Sequence, residues 1–295
     1  MKTETQNKEQ FIKSADLKFS SKKFISESKK VSLFQSIVYD YYQLFGRPFS
    51  WRNTTEPYKI LVSEIMLQQT QTKRVESKFE NFISYFPDIF SLARADLHSV
   101  LMLWQGLGYN RRGKYLHEIA KTVVENFDGN IPACERTLQS FPGIGAATAA
   151  SICAFAFNMP TVFVETNVRT VFTHFFFKEN KKIRDSEVLE LVALFLDWKN
   201  PRKWYYALTD YGVGLKKIYR NINEKSAHYV RQSRFQGSDR QIRGAIIRII
   251  LDQKVVTEKK LVVLLNEDSE RIKKIINQLI AENFICKKKG KLEIA

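Results

Sequence analysis

The sequence predicts a mainly α-helical protein that ends in a small α+β unit. Three observations carry this. Apolar residues recur at helical spacing from residue 31 to about residue 219. Strand-type alternation is absent before the C-terminal tail. After residue 237, three helical patterns are followed by two short β-type runs, which is the order of a winged helix. The 295 residues allow about two domains at ~150 residues each. Hydrophobic residues make up 44% and charged residues 26%, ordinary globular usage that excludes a mainly disordered chain.

The elements follow in order. Residues 1–30 are rich in Lys, Ser and Glu, and predict a flexible basic leader. Leu33, Ile37, Tyr41 and Leu44 mark a first helix. Gly46-Arg47-Pro48 ends it, Trp51-Arg52-Asn53 forms a loop, and Pro57 starts the next helix. Helical segments fill 58–86 and break at Pro87. Further helices are expected at 96–104, 110–126, 134–140, 146–157, 166–177, 185–196 and 203–211. Phe172, Phe175, Phe176 and Phe177 read as core. Residues 220–236 are polar and read as a linker. The last unit, 237–295, has helices at 240–251, 258–265 and 270–282, then β-type runs around Lys289-Gly290. It carries 13 basic and 8 acidic residues, so it is basic in its own right. A packing or dimerisation role for it stays open.

The net charge is +16, from 47 basic and 31 acidic residues. Such an excess favours polyanionic partners, nucleic acid before membrane. No apolar run reaches the ~18 residues of a membrane span, and residues 1–30 hold no secretory h-region. Cys134, Cys153 and Cys286 make neither a disulfide framework nor a CxxC metal site. A cytoplasmic protein with reduced thiols is expected. His174 and His228 lack metal-ligand spacing.

Three segments carry chemistry. Phe141-Pro142-Gly143-Ile144-Gly145 lies between helical patterns and reads as a helix-hairpin-helix. Its glycines permit a tight turn, and the following helix N-terminus suits a DNA phosphate, gripped without reading sequence. Glu64 sits in the apolar stretch Leu61-Val62-Ser63-Glu64-Ile65-Met66-Leu67. Burial there would raise its pKa and suit a general acid. Glu165, in Val164-Glu165-Thr166-Asn167-Val168-Arg169, stands at a helix start, where the dipole favours the anion. Two carboxyls with pKa values pushed apart form an acid and an electrostatic stabiliser. Helix capping is the simpler role for Glu165.

Ser63–Thr70, Trp104-Gln105-Gly106-Leu107-Gly108-Tyr109, the hairpin 141–145 and Glu165–Arg169 occur in this order. Together they resemble the helix-hairpin-helix/GPD base-excision DNA glycosylases, and among them the A/G-mismatch adenine DNA glycosylases (MutY-type). The likeness spans residues 34–215. It implies a two-lobed helix-hairpin-helix glycosylase fold over 31–219, followed by the winged-helix-like unit.

The resemblance also implies roles. Glu64 matches the glutamate that protonates adenine and assists water. Glu165 falls on the carboxylate that stabilises the oxocarbenium-like sugar, and Asn167 lies near that centre. Gln69 matches a wedge that fills the place of the flipped adenine, and Tyr109 an aromatic that intercalates beside the opposite base. Gly143, Gly145, Ala147 and Thr148 of the hairpin, with Arg52, are the expected DNA contacts. The implied partner is double-stranded DNA with a mismatched or damaged base, bound by a monomer without a membrane. Arg234, Arg240 and Arg243 are either phosphate contacts or a solvated basic face.

Three departures from the family pattern stand out. Glu165 replaces the usual Asp, and a ~1 Å misplacement can cost ~10²-fold. Lys216 stands where the first cysteine of a [4Fe–4S] cluster is expected, so no cofactor is expected. The C-terminal unit replaces a Nudix-like domain that senses 8-oxoguanine. Ala147 stands where strand-cutting relatives carry a Schiff-base Lys, which implies base removal alone. The leading reading is adenine removal opposite G or 8-oxoguanine. Thymine or uracil removal, or an inactive DNA-binding protein, are the alternatives.

Overall fold

The structure is a computed structural model that describes residues 2–22, 25–177, 182–219, 222–227, 229 and 234–295. The first helices are α1 (Lys2–Ser21), α2 (Glu27–Phe45), α3 (Pro57–Leu67), α4 (Thr72–Tyr85) and α5 (Ile89–Arg94). Then come α6 (Leu97–Trp104), α7 (Arg111–Phe127), α8 (Glu135–Gln139), α9 (Ala146–Phe157) and α10 (Thr166–Phe176). The chain continues through α11 (Asp185–Phe195), α12 (Pro201–Ile218), α13 (Asp239–Gln253), β1 (Val256–Thr257) and α14 (Glu258–Leu265), and ends in α15 (Ser269–Ala281), β2 (Ile285–Lys288) and β3 (Lys291–Ile294). Two compact units result. One takes in Met1–Ile60, Ala133–Gln139 and Gly145–Arg231; the other takes in Leu61–Pro132, Ser140–Ile144 and Gln232–Ala295.

The first unit is built around aromatic rings. Phe34 of α2 lies 5.4 Å from Phe172, 5.0 Å from Phe195 and 5.9 Å from Trp204, centroid to centroid. Phe172 and Phe175 are buried, and Phe176 and Phe177 pack against the same cluster, as the sequence predicts. Gly212 lets α12 press against α10. A Cβ there would sit 2.5 Å from the carbonyl oxygen of Asn167. Helical glycines at 212 and 214 hide the true length of α12 from sequence reading, which stops it at residue 211.

Two expectations for this unit are corrected. Residues 1–30 are not a flexible leader, since α1 fills most of them. Ile12 and Ala15 are buried, and Phe19 meets Phe34 and Phe175 at 6.0 and 5.0 Å. Asp16 accepts a hydrogen bond from the Tyr219 hydroxyl and bonds the His174 ring. Phe11, Ile12, Ala15 and Phe19 are an apolar stripe at helical spacing, diluted by Lys and Glu on the remaining faces. The linker 220–236 is the second. Its part 222–227 belongs to the unit: Ile222 is buried, Ile183 N–H donates to Lys225 O, and Ile183 O accepts from Ala227 N–H. Residues 220–221, 228 and 230–233 lie outside the described ones.

The second unit holds α4–α7, where Val75, Phe82, Trp104, Leu116 and Val123 are buried. Its C-terminal part runs α13, β1, α14, α15, β2, β3. The sheet order is β1-β3-β2, antiparallel, with Val256 opposite Leu292 and Lys287 opposite Leu292 on the other side. β1 is two residues long, too short to show a period. Ile246, Ile250, Ile272, Ile276 and Leu279 form the core of this part, and Leu101 of α6 belongs to the same cluster. His98 of α6 bonds Leu251 O at 3.1 Å. Leu101 and His98 thus join α6 to residues 237–295.

Candidate active site

Each unit carries part of the predicted site. In the second unit, Leu61, Val62, Ser63, Ile65 and Met66 of α3 are buried, and Glu64 among them is half-buried. The helix ends at Leu67. Gln69, two residues later, is exposed with φ at 52°. Tyr109 has φ 48° and is 38% exposed. Non-glycine residues seldom take this left-handed conformation, and such strain persists only where the surroundings enforce it.

Arg112 enforces it. Its guanidinium is buried and donates to the carbonyls of Ile65, Met66 and Gln68 at 2.9, 2.8 and 2.6 Å. It also donates to Thr70 Oγ1 at 2.8 Å, and to the carbonyls of Leu107 and Gly108 at 3.1 and 3.0 Å. One side chain thus fixes both the 68–70 loop and the 107–109 loop. A planar fork of five donors can do this, whereas an ammonium cannot. Sequence reasoning missed Arg112. Its only signal is its place just after Tyr109.

The hairpin residues 140–144 pack in the same unit. Gly143 has φ 76°, and a Cβ there would lie 2.6 Å from a Tyr115 ring carbon. Its carbonyl accepts from Gln68 Nε2 at 3.1 Å. Gly145, in the first unit, is the N-cap of α9 with extended backbone and nothing within 4 Å of a would-be Cβ. Ala146 and Ala147 are exposed and Thr148 is half-buried. An open, glycine-capped start of a twelve-residue helix suits an anion.

In the first unit, Glu165 is the N-cap of α10. Its Oε1 accepts from Val168 N–H at 3.0 Å and its Oε2 from Asn167 Nδ2 at 3.1 Å. Asn167 Oδ1 in turn accepts from Lys216 Nζ at 2.7 Å. Capping and anion-holding are one arrangement here, because the cap bond is itself a bond to the carboxylate. Burial pushes the Lys216 pKa below the usual lysine value, and the Glu165 charge opposes that shift. The link from Lys216 through Asn167 to Glu165 has no local sequence signal, since 49 residues separate Lys216 from Asn167.

Arg52 is corrected. Its guanidinium is 7% exposed and donates to both oxygens of buried Asp210 at 2.8 and 3.0 Å. Asp210 also pairs with Arg47 at 2.7 Å. Arg52 is spent on this internal pair and is not a surface for DNA. A four-thiolate cluster does not fit the residues present. The chain has three cysteines: Cys134 is exposed, Cys153 is buried, with its thiol pushed up to about 11 by burial, and Cys286 lies on β2.

The HhH-GPD superfamily of base excision DNA repair proteins matches residues 62–194. An adenine DNA glycosylase of Mycolicibacterium smegmatis is 30% identical over 264 residues, covering 83% of this chain and 90% of that protein. The chain belongs to the adenine DNA glycosylase family. Another member, from Buchnera aphidicola subsp. Baizongia pistaciae, is 33% identical over 183 residues, covering 61% of this chain and 52% of that one. This family member thus spans about half the length of its Buchnera relatives. A solved thermostable thymine-DNA glycosylase superposes with a TM-score of 0.57 at 24% identity, covering 63% of this chain and 87% of that one. At that identity the likeness speaks for the fold, and it agrees with the mainly helical class read from the sequence.

Proposed function

We propose that this family member is a monofunctional DNA N-glycosylase that removes adenine opposite guanine or 8-oxoguanine in base-excision repair. The observation that carries the reading is Glu64, a half-buried carboxyl on an otherwise buried stretch of α3, followed at once by the strained loop of Gln69. Extruding a base costs a few kcal/mol, and side chains that fill the gap offset this. Gln69 and Tyr109 take that task, on loops fixed by Arg112. The open start of α9 holds a backbone phosphate. Glu64 supplies the proton that turns adenine into a neutral leaving group. Glu165, oriented by Val168 N–H and Asn167, stabilises the positive charge that develops on the sugar. The glycosidic bond breaks, its electrons leave with the protonated base as neutral adenine, and water adds to the sugar carbon, its proton passing to the carboxylate left on Glu64.

Ala147 offers no amine at the exposed first turn of α9, so the product is an intact abasic strand. The chemistry on this reading uses no iron–sulfur cluster. Labelled duplexes bearing A·8-oxoG, A·G, A·C, T·G and U·G, each with and without hot alkali, test it. Cleavage of the A·8-oxoG or A·G strand only after alkali is expected. Cleavage confined to T·G or U·G, or no cleavage of any duplex, overturns it.

A further inference from the structure

We propose that Arg240, in the C-terminal part of the chain, is a positioning residue for Tyr109. Through it, the winged-helix-like part sets how the protein senses the base opposite its target. This rests on the reading of Tyr109 as the aromatic that enters the stack.

Arg240 Nη1 donates to the Tyr109 hydroxyl at 2.8 Å, across 131 residues of sequence. Its guanidinium carbon lies 5.9 Å from the ring centroid, and that of Arg112 lies 5.6 Å from it. Arg112 holds the backbone of this loop through Leu107 and Gly108. Arg240 holds the far end of the side chain. Between them, both torsions of the ring are fixed before DNA arrives. A tyrosine ordered in advance loses less entropy on insertion.

The bond needs α13 to be firm, and it is. Arg243, one turn on from Arg240, pairs with Glu282 at 2.7 Å. Glu282 also pairs with Arg111, two residues after Tyr109, at 2.7 Å. One carboxylate thus ties α13 to the start of α7. Arg271 fixes the start of α13 through Asp239 and Gly237 O, at 2.7 and 2.8 Å. Leu101 seats the same part in a shared apolar core. Arg240 is therefore carried on a braced helix to the one aromatic side chain the mechanism needs to place.

The test uses the full chain and a duplex with a tetrahydrofuran abasic analogue opposite guanine, 2-aminopurine flanking that guanine. No catalysis is needed. Binding is read by anisotropy, and stacking by 2-aminopurine fluorescence. Arg240→Ala should weaken binding by about three- to tenfold, the loss of one charge-assisted hydrogen bond, and reduce the fluorescence change. Arg240→Lys should restore part of the signal. Tyr109→Phe should reproduce the Arg240→Ala effect, and Arg240→Ala added to it should cost less than about twofold more. An unchanged signal in Arg240→Ala overturns the inference. So does a full additional loss in the Tyr109→Phe background with a salt slope lower by about one, the mark of a plain phosphate contact. Tyr109→Ala separates the two readings. If it leaves the signal intact, the stacking role of Tyr109 falls and this inference with it; if it removes the signal while Arg240→Ala does not, only the inference falls.

Discussion

Glu64 and Lys216 are half-buried ionisable groups to which the proposed reaction gives different tasks. Glu64 is asked to give a proton, so its acid form matters. Glu64→Gln keeps shape and loses the proton. We expect DNA binding to persist and single-turnover excision to fall by at least ~10²-fold; a near-native rate would reassign the acid. Lys216 is asked to stay in place. Its ammonium anchors Asn167, which donates to Glu165. Lys216→Met should leave binding unchanged and lower the excision rate by roughly tenfold, because Glu165 loses an ordered donor. Burial depresses this pKa, so charging the group disfavours the folded state. That penalty is fully present below the folded pKa and fades as pH rises through it toward the usual lysine value. Thermal melts should therefore show Lys216→Met more stable than wild type at neutral pH, by a margin that shrinks at alkaline pH. The wild-type rate should also fall on the alkaline side where the variant's does not. A variant with wild-type rate would show Asn167 needs no anchor.

At the scale of elements, two loops do the work and one side chain holds both. The 68–70 and 107–109 loops carry Gln69 and Tyr109 at positive φ, a cost of order 1–3 kcal/mol each. Arg112 offsets this with six hydrogen bonds. Arg112→Ala leaves those acceptors without a buried donor. We expect a loss of about 3 kcal/mol in urea unfolding, and Arg112→Lys should recover less than half, since a point charge cannot span two loops. Loss below ~1 kcal/mol would mean that the loops hold their shape unaided. The hairpin follows the same logic with a cheaper device. Gly143 takes its positive φ without strain and leaves room for Tyr115.

At the scale of the molecule, two stretches depart from the family pattern that the sequence resembles. At Lys216, where the resemblance implies a cluster cysteine, the ammonium bonds Asn167, which in turn bonds Glu165. Purified protein should contain no stoichiometric iron, show no absorption near 400 nm and keep its thermal midpoint under chelator. Stoichiometric iron whose removal unfolds the chain would overturn the cluster-free reading. Where a Nudix-like domain is expected, a short α13–β3 part shares its core with α6. Its basic balance of 13 against 8 residues favours a polyanionic partner.

Most helix positions, the hairpin turn and the order of helices and strands in the C-terminal part were legible in the sequence. Each rests on a local signal: period, glycine placement, or a short string of residue types. The boundaries of α9 and α14 match their expected ranges because glycine and threonine caps mark them. The same reading failed wherever a role depends on a distant partner. Arg52 looked like a loop cation, and only Asp210 on α12, 158 residues on, makes it an internal brace. α1 looked like a charged leader, because burial of Ile12 and Phe19 requires a groove that other helices supply. Arg112, Lys216 and Arg240 act through hydrogen bonds to residues or loops that folding brings near. Sequence determines which side chains exist and which local shapes they favour. Tertiary structure decides which of the many charges are spent inside and which are left to act, because a charge's role is set by what lies within a few ångströms of it.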